Sequence, residues 1–158
     1  MENEPIEYAG FWIRFVAYII DGVIISLLEF LLVLPLLGLI GINTLTIDSS
    51  TYESMDWELL LPLLISAGTG LYLSAFLLTW LYYALMESGA RQGTVGKMAI
   101  GVIVIDENGN RLNFAKASIR YFSKIISSIL LIGYIIAAFT PKKQALHDII
   151  ANTYVVRK

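Results

Sequence analysis

Two long apolar runs dominate the chain, divided by a short polar stretch and followed by a region where apolar and charged positions alternate on a finer scale. The first run covers about residues 11–41, and the second, 57–86, carries no charge between Glu58 and Glu87. At helical rise the second run covers about 34 Å from Trp57 to Trp80, and each run is long enough to cross a bilayer. Phe11 and Trp12 stand at the start of the first run like an interfacial aromatic anchor. Pro35, Gly38 and Gly41 predict a kink or loosened turns near its end, which membrane helices tolerate. The stretch between the runs, 43–56, holds Asp48, Glu53 and Asp56 but neither Lys nor Arg. The positive-inside bias therefore faces it away from the cytoplasm and leaves the N-terminus inside.

Beyond residue 88 the pattern changes. Residues 98–113 contain the β-branched run Val102-Ile-Val-Ile105 followed by Asn108-Gly109, a dipeptide suited to a tight hairpin turn. They predict a short cytoplasmic hairpin, 101–105 against 110–113, to which Thr153-Tyr-Val-Val156 could add a third strand. Residues 114–140 form a third membrane segment that begins with a basic stripe, Lys116, Arg120 and Lys124, read as lipid-facing. After Lys124 the apolar part has only about fifteen residues, against the twenty or so that a crossing needs. A plain crossing would also put Lys142, Lys143, Arg157 and Lys158 outside, against the usual bias. A re-entrant or interfacial helix pair breaking at Gly133 is preferred, with a tilted crossing, aided by a snorkelling Lys124, as the alternative. Residues 141–158 then form a cytoplasmic tail.

Composition agrees. With 57% hydrophobic residues, 15% charged and a mean hydropathy of +0.71, the 158 residues read as a single integral membrane domain. The expected fold is mainly α and polytopic, with two clear transmembrane helices, the short third segment and the small hairpin. A net charge of -2 removes the strongly basic surface of a nucleic-acid binder. The acidic start, Met-Glu-Asn-Glu, lacks the basic stretch of a cleaved signal peptide.

Enzymatic chemistry is poorly supported. There is no cysteine and no Gly-x-Ser-x-Gly elbow, and the single histidine, His147, expected at the surface or interface beside an acid, offers no paired metal ligand. No metal, cofactor or catalytic set is expected. Gly93-Thr-Val-Gly-Lys97 fails as a phosphate loop, because Arg91 stands where the Walker pattern needs Gly and Met98 where it needs Ser or Thr. Helical geometry instead singles out the first run. Arg14 and Asp21, seven residues apart, share nearly one face, and Glu29 falls within roughly 60° of it at 100° per residue. Ionisable groups at membrane depth are functional candidates. They suit either a cation or proton relay or a charge lock between helices.

These residues resemble the RDD family of small bacterial membrane proteins, named for one arginine and two aspartates. The resemblance rests on Gly10-Phe-Trp-Ile-Arg14, Ala17-Tyr-Ile-Ile-Asp21, Gly93-Thr-Val-Gly-Lys97, Gly101-Val-Ile-Val-Ile-Asp106, Gly109, Arg120, Gln144-Ala-Leu-His-Asp148 and Ala151-Asn-Thr153. It covers nearly the whole chain. It implies that Arg14, Asp21 and Asp148 are the signature residues, and if the third segment returns to the cytoplasmic side, Arg14 is expected to bridge one carboxylate from each end of the chain, Asp21 and Asp148. Asn152 replaces the usual Gly, and Glu29 is outside the signature. The resemblance also implies a transport protein of the cytoplasmic membrane, with links to cation/proton exchange in some members. Two crossing helices enclose little volume, so a homo-oligomer or a partner subunit is expected. The basic stripe suggests contact with anionic lipids of the bilayer. A non-catalytic scaffold or accessory subunit is the alternative function.

Overall fold

The computed structural model describes residues 6–46, 56–129, 136, 137 and 139–158. Its elements in order are α1 (Phe11–Thr46), α2 (Trp57–Ser88), α3 (Val95–Ala99), β1 (Val102–Asp106), α4 (Phe114–Ile129), α5 (Leu146–Ile150) and β2 (Thr153–Arg157). Within α1 and α2, Phe11–Pro35 and Leu60–Ser88 are long and apolar enough to cross a membrane. Pro35, expected to kink its helix, and Pro62 are both carried inside continuous helices. The proposed re-entrant break at Gly133 lies outside the described residues, as does most of the acidic loop.

The chain divides into two compact units, residues 1–23 with 80–158 and residues 24–79. The second unit consists of helical segments whose side chains are largely apolar and exposed. Its one described carboxylate within the spans, Glu29, accepts a hydrogen bond from Thr79 Oγ1 at 3.2 Å.

The first unit holds the small sheet. β1 and β2 pair antiparallel, with Val102 opposite Arg157 and Asp106 opposite Thr153. The free edge of β2 takes up the N-terminal residues: Tyr8 bridges Val156, Ala9 N–H donates to Val155 O at 2.9 Å, and Arg157 N–H donates to Glu7 O at 2.9 Å. The expected hairpin does not form. Asp106 uses its carboxylate to accept from the N–H groups of Asn108 (2.9 Å) and Asn110 (2.8 Å), and its own N–H donates to Asn110 O. Gly109 supplies the positive φ, +79°, that this tight turn requires. The chain cannot then run back as a strand, because Leu112 is drawn into the core and the Asn113 side chain accepts from Lys116 N–H at 2.7 Å, capping α4. Residues 110–113 are thus a helix approach, and the C-terminal strand is the partner of β1 rather than an addition to a hairpin.

Ala9, Ala84, Val102, Val104, Leu112, Ala117 and Val155 form the apolar core, with Ile13, Trp80 and Ile100 against it. α4 has the opposite polarity from a soluble surface helix. Ala117, Arg120, Ser123 and Ser127 face inward, whereas Ile119, Phe122, Ile125 and Ile126 are exposed. Arg120 is only 1% exposed, which corrects its assignment to a lipid-facing stripe. Lys124 also turns inward, toward Glu87 at 3.5 Å, and its ammonium lies 3.8 Å from the Tyr83 ring centre. Lys116 alone of the three keeps an outer position, 3.7 Å from Glu107. The stripe was misplaced because every fourth residue marks one helix face without saying which face is inside.

Leu112→Ala should lower stability in detergent by about 2–5 kcal/mol, the usual range for a buried Leu truncation, while exposed Arg111→Ala should leave it unchanged. Thermal melting of the two purified variants checks the pair.

Candidate functional site

The signature acids occupy two separate sites. Asp21, on α1, is 1% exposed and accepts from three donors. Its Oδ1 takes Tyr82 Oη–H and Gly96 N–H, each at 2.8 Å, and its Oδ2 takes Thr94 Oγ1–H at 2.5 Å. The Tyr82 hydroxyl in turn accepts from Val95 N–H at 3.2 Å. This arrangement explains the residue choices in Gly93-Thr-Val-Gly-Lys97. Thr94 supplies a hydroxyl donor, and Gly96 lets the α3 backbone approach α1: a Cβ at Gly96 would lie 2.3 Å from Ala17 O and 2.9 Å from Asp21 Cγ.

Asp148, on α5, forms the second site and is fully buried. Its Oδ2 accepts from Arg14 Nη1 and from Ala145 N–H (3.1 Å), so it also caps its own helix. Its Oδ1 accepts from Arg120 Nε at 2.9 Å and Nη2 at 2.6 Å. Arg120 then reaches Glu87 Oε2 through Nη1 at 2.7 Å, and Glu87 Oε1 accepts from Lys97 Nζ at 2.6 Å. Arg14 is anchored further by donating to Ala9 O (2.9 Å) and Lys143 O (2.7 Å). The network thus joins α1, α2, α3, α4 and α5 through side chains.

Four cationic side chains, Arg14, Lys97, Arg120 and Lys124, converge on two carboxylates, Glu87 and Asp148. Burial pushes Lys97 down to about 7, with the Arg120 charge adding to the effect and Glu87 opposing it. Burial alone would raise Asp148, but Arg120 and then Arg14 outweigh it and hold the carboxyl well below the usual range. His147 is buried too, its Nε2 3.5 Å from Asp148 Oδ1. Burial pushes it down to about 3, against the pull of Asp148 and with the Arg120, Lys124 and Arg14 charges adding. Its expected place as a surface or interfacial residue is corrected: the short α5 turns it inward.

Arg14 and Asp148 therefore meet, Asp21 binds elsewhere, and Glu29 belongs to the other unit. The bridge of Arg14 to one acid from each end of the chain is replaced by Arg120 joining Asp148 to Glu87. Glu87, Lys97, Tyr82 and Thr94 escaped the sequence reading. The available signals were the position of Glu87 as the first charge after a long uncharged run, and the presence of Lys97 and Thr94 in a motif already noted. Among the described residues, no group of three or more His, Cys, Asp or Glu is placed to hold a metal ion.

Comparison with known proteins matches the RDD family over residues 8–152, which include Arg14, Asp21, Arg120 and Asp148. The chain belongs to the RDD family. It is 36% identical over 151 residues to the uncharacterized protein YxaI of Bacillus subtilis (strain 168), covering 95% of this chain and 97% of that one. It is 33% identical over 153 residues to the uncharacterized membrane protein YteJ of the same organism, covering 96% and 82%. No solved structure matches. With its two candidate spans, the chain is a membrane protein of the RDD family that carries a buried Arg-Asp-Glu network. Asn152, at the place where the RDD pattern usually has Gly, adopts φ +49°, a conformation that Asn tolerates better than most residues.

Arg120→Leu should cost about 3–5 kcal/mol, because it leaves Glu87 and Asp148 buried without their shared counter-charge; detergent melting measures it. His147 is neutral in the folded chain, whereas the unfolded chain protonates it below about 6.5. The unfolded state thus binds more protons as pH falls, so stability should decline from about pH 6.5 toward 3. His147→Gln should flatten the fall in melting temperature between pH 6.5 and 4.5, a window above the titration of Asp148 in either state.

Proposed function

We propose that this RDD-family protein is a multi-pass protein of the cytoplasmic membrane in which the two acid sites act as locks. They hold a cytoplasmic platform for a non-catalytic scaffold or accessory role. The membrane placement is supported by charge: all eleven Lys and Arg residues lie at position 14 or at 91 and beyond, so none falls between the two spans. The N-terminus, the sheet and the C-terminus are then cytoplasmic. The path of the third segment is supported by strand pairing. β1 precedes this segment and β2 follows it, yet they are hydrogen-bonded along five residue pairs. This pairing suits a segment 114–140 whose two ends lie on one face, as a re-entrant or interfacial path requires. The outward apolar face of α4 suits immersion in lipid.

One observation carries the lock reading: every carboxylate oxygen of Asp21 and Asp148 already accepts from protein donors on other segments or on its own helix cap. A carboxylate so saturated is poorly disposed to exchange a cation or proton and well disposed to hold elements together.

A second reading, cation or proton transport, is favoured by Glu29. It is a half-buried carboxylate inside a candidate span, bonded to Thr79. A pathway would then need a homo-oligomer or a partner subunit.

Asp21→Asn should lower detergent stability by about 1–3 kcal/mol, because the amide cannot accept from all three donors. The wild-type protein should give no ion flux in proteoliposomes. Cation or proton flux by wild-type protein that disappears in Glu29→Gln at unchanged melting temperature would replace the lock by the transporter. A cysteine introduced at Lys158 that labels only from outside would remove the proposed topology.

A further inference from the structure

A groove of about 600 Å³ opens beside the sheet where the chain enters its first span. Its apolar wall is Trp12, Ile13, Val16 and Ile100, and its rim carries Arg157 and Lys158. The wall does not stop at the groove. Trp12, Val16, Ile19 and Val23 are spaced four, three and four apart, which places them within one narrow helix face. All four are exposed, Trp12 at 74% and Val23 at 66%. A strip of apolar surface thus descends α1 from a site capped by two cations.

The sheet holds the cations in place. Lys158 N–H donates to Gly101 O at 3.0 Å, and Arg157 N–H to Glu7 O at 2.9 Å, so both side chains leave a hydrogen-bonded edge. Arg157 Nη1 also lies 3.2 Å from Glu7 Oε1, but both side chains are about half exposed, so this pair is weak and leaves further guanidinium donors available. Among the described residues, no Asp or Glu lines the groove itself.

We propose that this groove holds one anionic phospholipid. Its phosphate pairs with Arg157 and Lys158, and an acyl chain follows Trp12, Val16, Ile19 and Val23. Charge complementarity selects the occupant: a guanidinium and an ammonium match a phosphodiester, and the apolar strip matches a chain attached to it. An indole at the groove mouth is a side chain suited to headgroup level. A free phosphate or an apolar peptide uses only one half of this surface. The site differs from the Lys116, Arg120 and Lys124 stripe first considered for lipid contact, two members of which are turned inward.

The inference rests on the first helix entering the bilayer, as proposed above. That placement is tested separately, by cysteine labelling in membranes, whereas lipid binding is read on the full chain in detergent. Purified protein is titrated with dioleoylphosphatidylglycerol and with dioleoylphosphatidylcholine, and complexes are counted by native mass spectrometry alongside thermal melting. Phosphatidylglycerol should bind as one tightly retained molecule and raise the melting temperature, with phosphatidylcholine at least about tenfold weaker. Arg157→Gln with Lys158→Gln should weaken phosphatidylglycerol about twenty-five-fold, taking each cation as worth about fivefold near a headgroup. The lipid-free melting temperature should not change. Glu7→Gln should strengthen binding by freeing Arg157, and Trp12→Ala should weaken both lipids. Equal binding of the two lipids, or full retention of phosphatidylglycerol by the double variant, overturns the proposal. Displacement of the lipid by millimolar inorganic phosphate overturns it too, since the apolar strip would then contribute nothing. Should the double variant lose stability, Lys158→Gln and Glu7→Gln moving affinity in opposite directions decide the same point.

Discussion

Burying Arg120 is the constraint on which the first unit depends. A guanidinium removed from water is costly unless it is paired, and this one has a carboxylate partner for each nitrogen of its fork, Asp148 for two and Glu87 for the third. The two acids come from the end of α2 and from α5, far apart in sequence. Once the fork is satisfied, the end of the second span, the start of the third segment and the C-terminal helix have little freedom to move apart. Arg14 adds the start of α1 to the same carboxylate.

The Asp21 site repeats this logic with neutral donors. A tyrosine hydroxyl, a threonine hydroxyl and a backbone N–H surround one carboxylate, and the glycine at 96 removes the side chain that would keep α3 from α1. The Gly93–Lys97 segment, whose composition invites a nucleotide-binding reading, is therefore a connector serving both sites. Thr94 and Gly96 go to Asp21, and Lys97 goes to Glu87. Four cations meet two carboxylates, and burial, with the Arg120 charge adding to it, lowers the affinity of Lys97 for its proton.

Polarity along α4 links packing to the membrane. Its charged and hydroxyl-bearing face is satisfied inside the protein, and its isoleucines and Phe122 are left outside. In water that arrangement would expose the face that most needs cover; in lipid it is the stable one. The strip on α1 from Trp12 to Val23 follows the same rule.

From the sequence alone, the two candidate spans and the turn at Asn108-Gly109 were legible, because length and dipeptide chemistry are local properties, and the resemblance to the RDD family pointed to Arg14, Asp21 and Asp148. Tertiary structure decided the partners. It gave β1 the C-terminal strand instead of residues 110–113, since Leu112 was needed in the core and Asn113 at the helix cap. It divided the expected three-residue cluster in two, and it turned Arg120 inward to do what Arg14 was expected to do. Helical spacing tells which residues share a face, but whether that face meets lipid or a buried carboxylate depends on where Glu87 and Asp148 arrive. That is settled only when distant segments pack together.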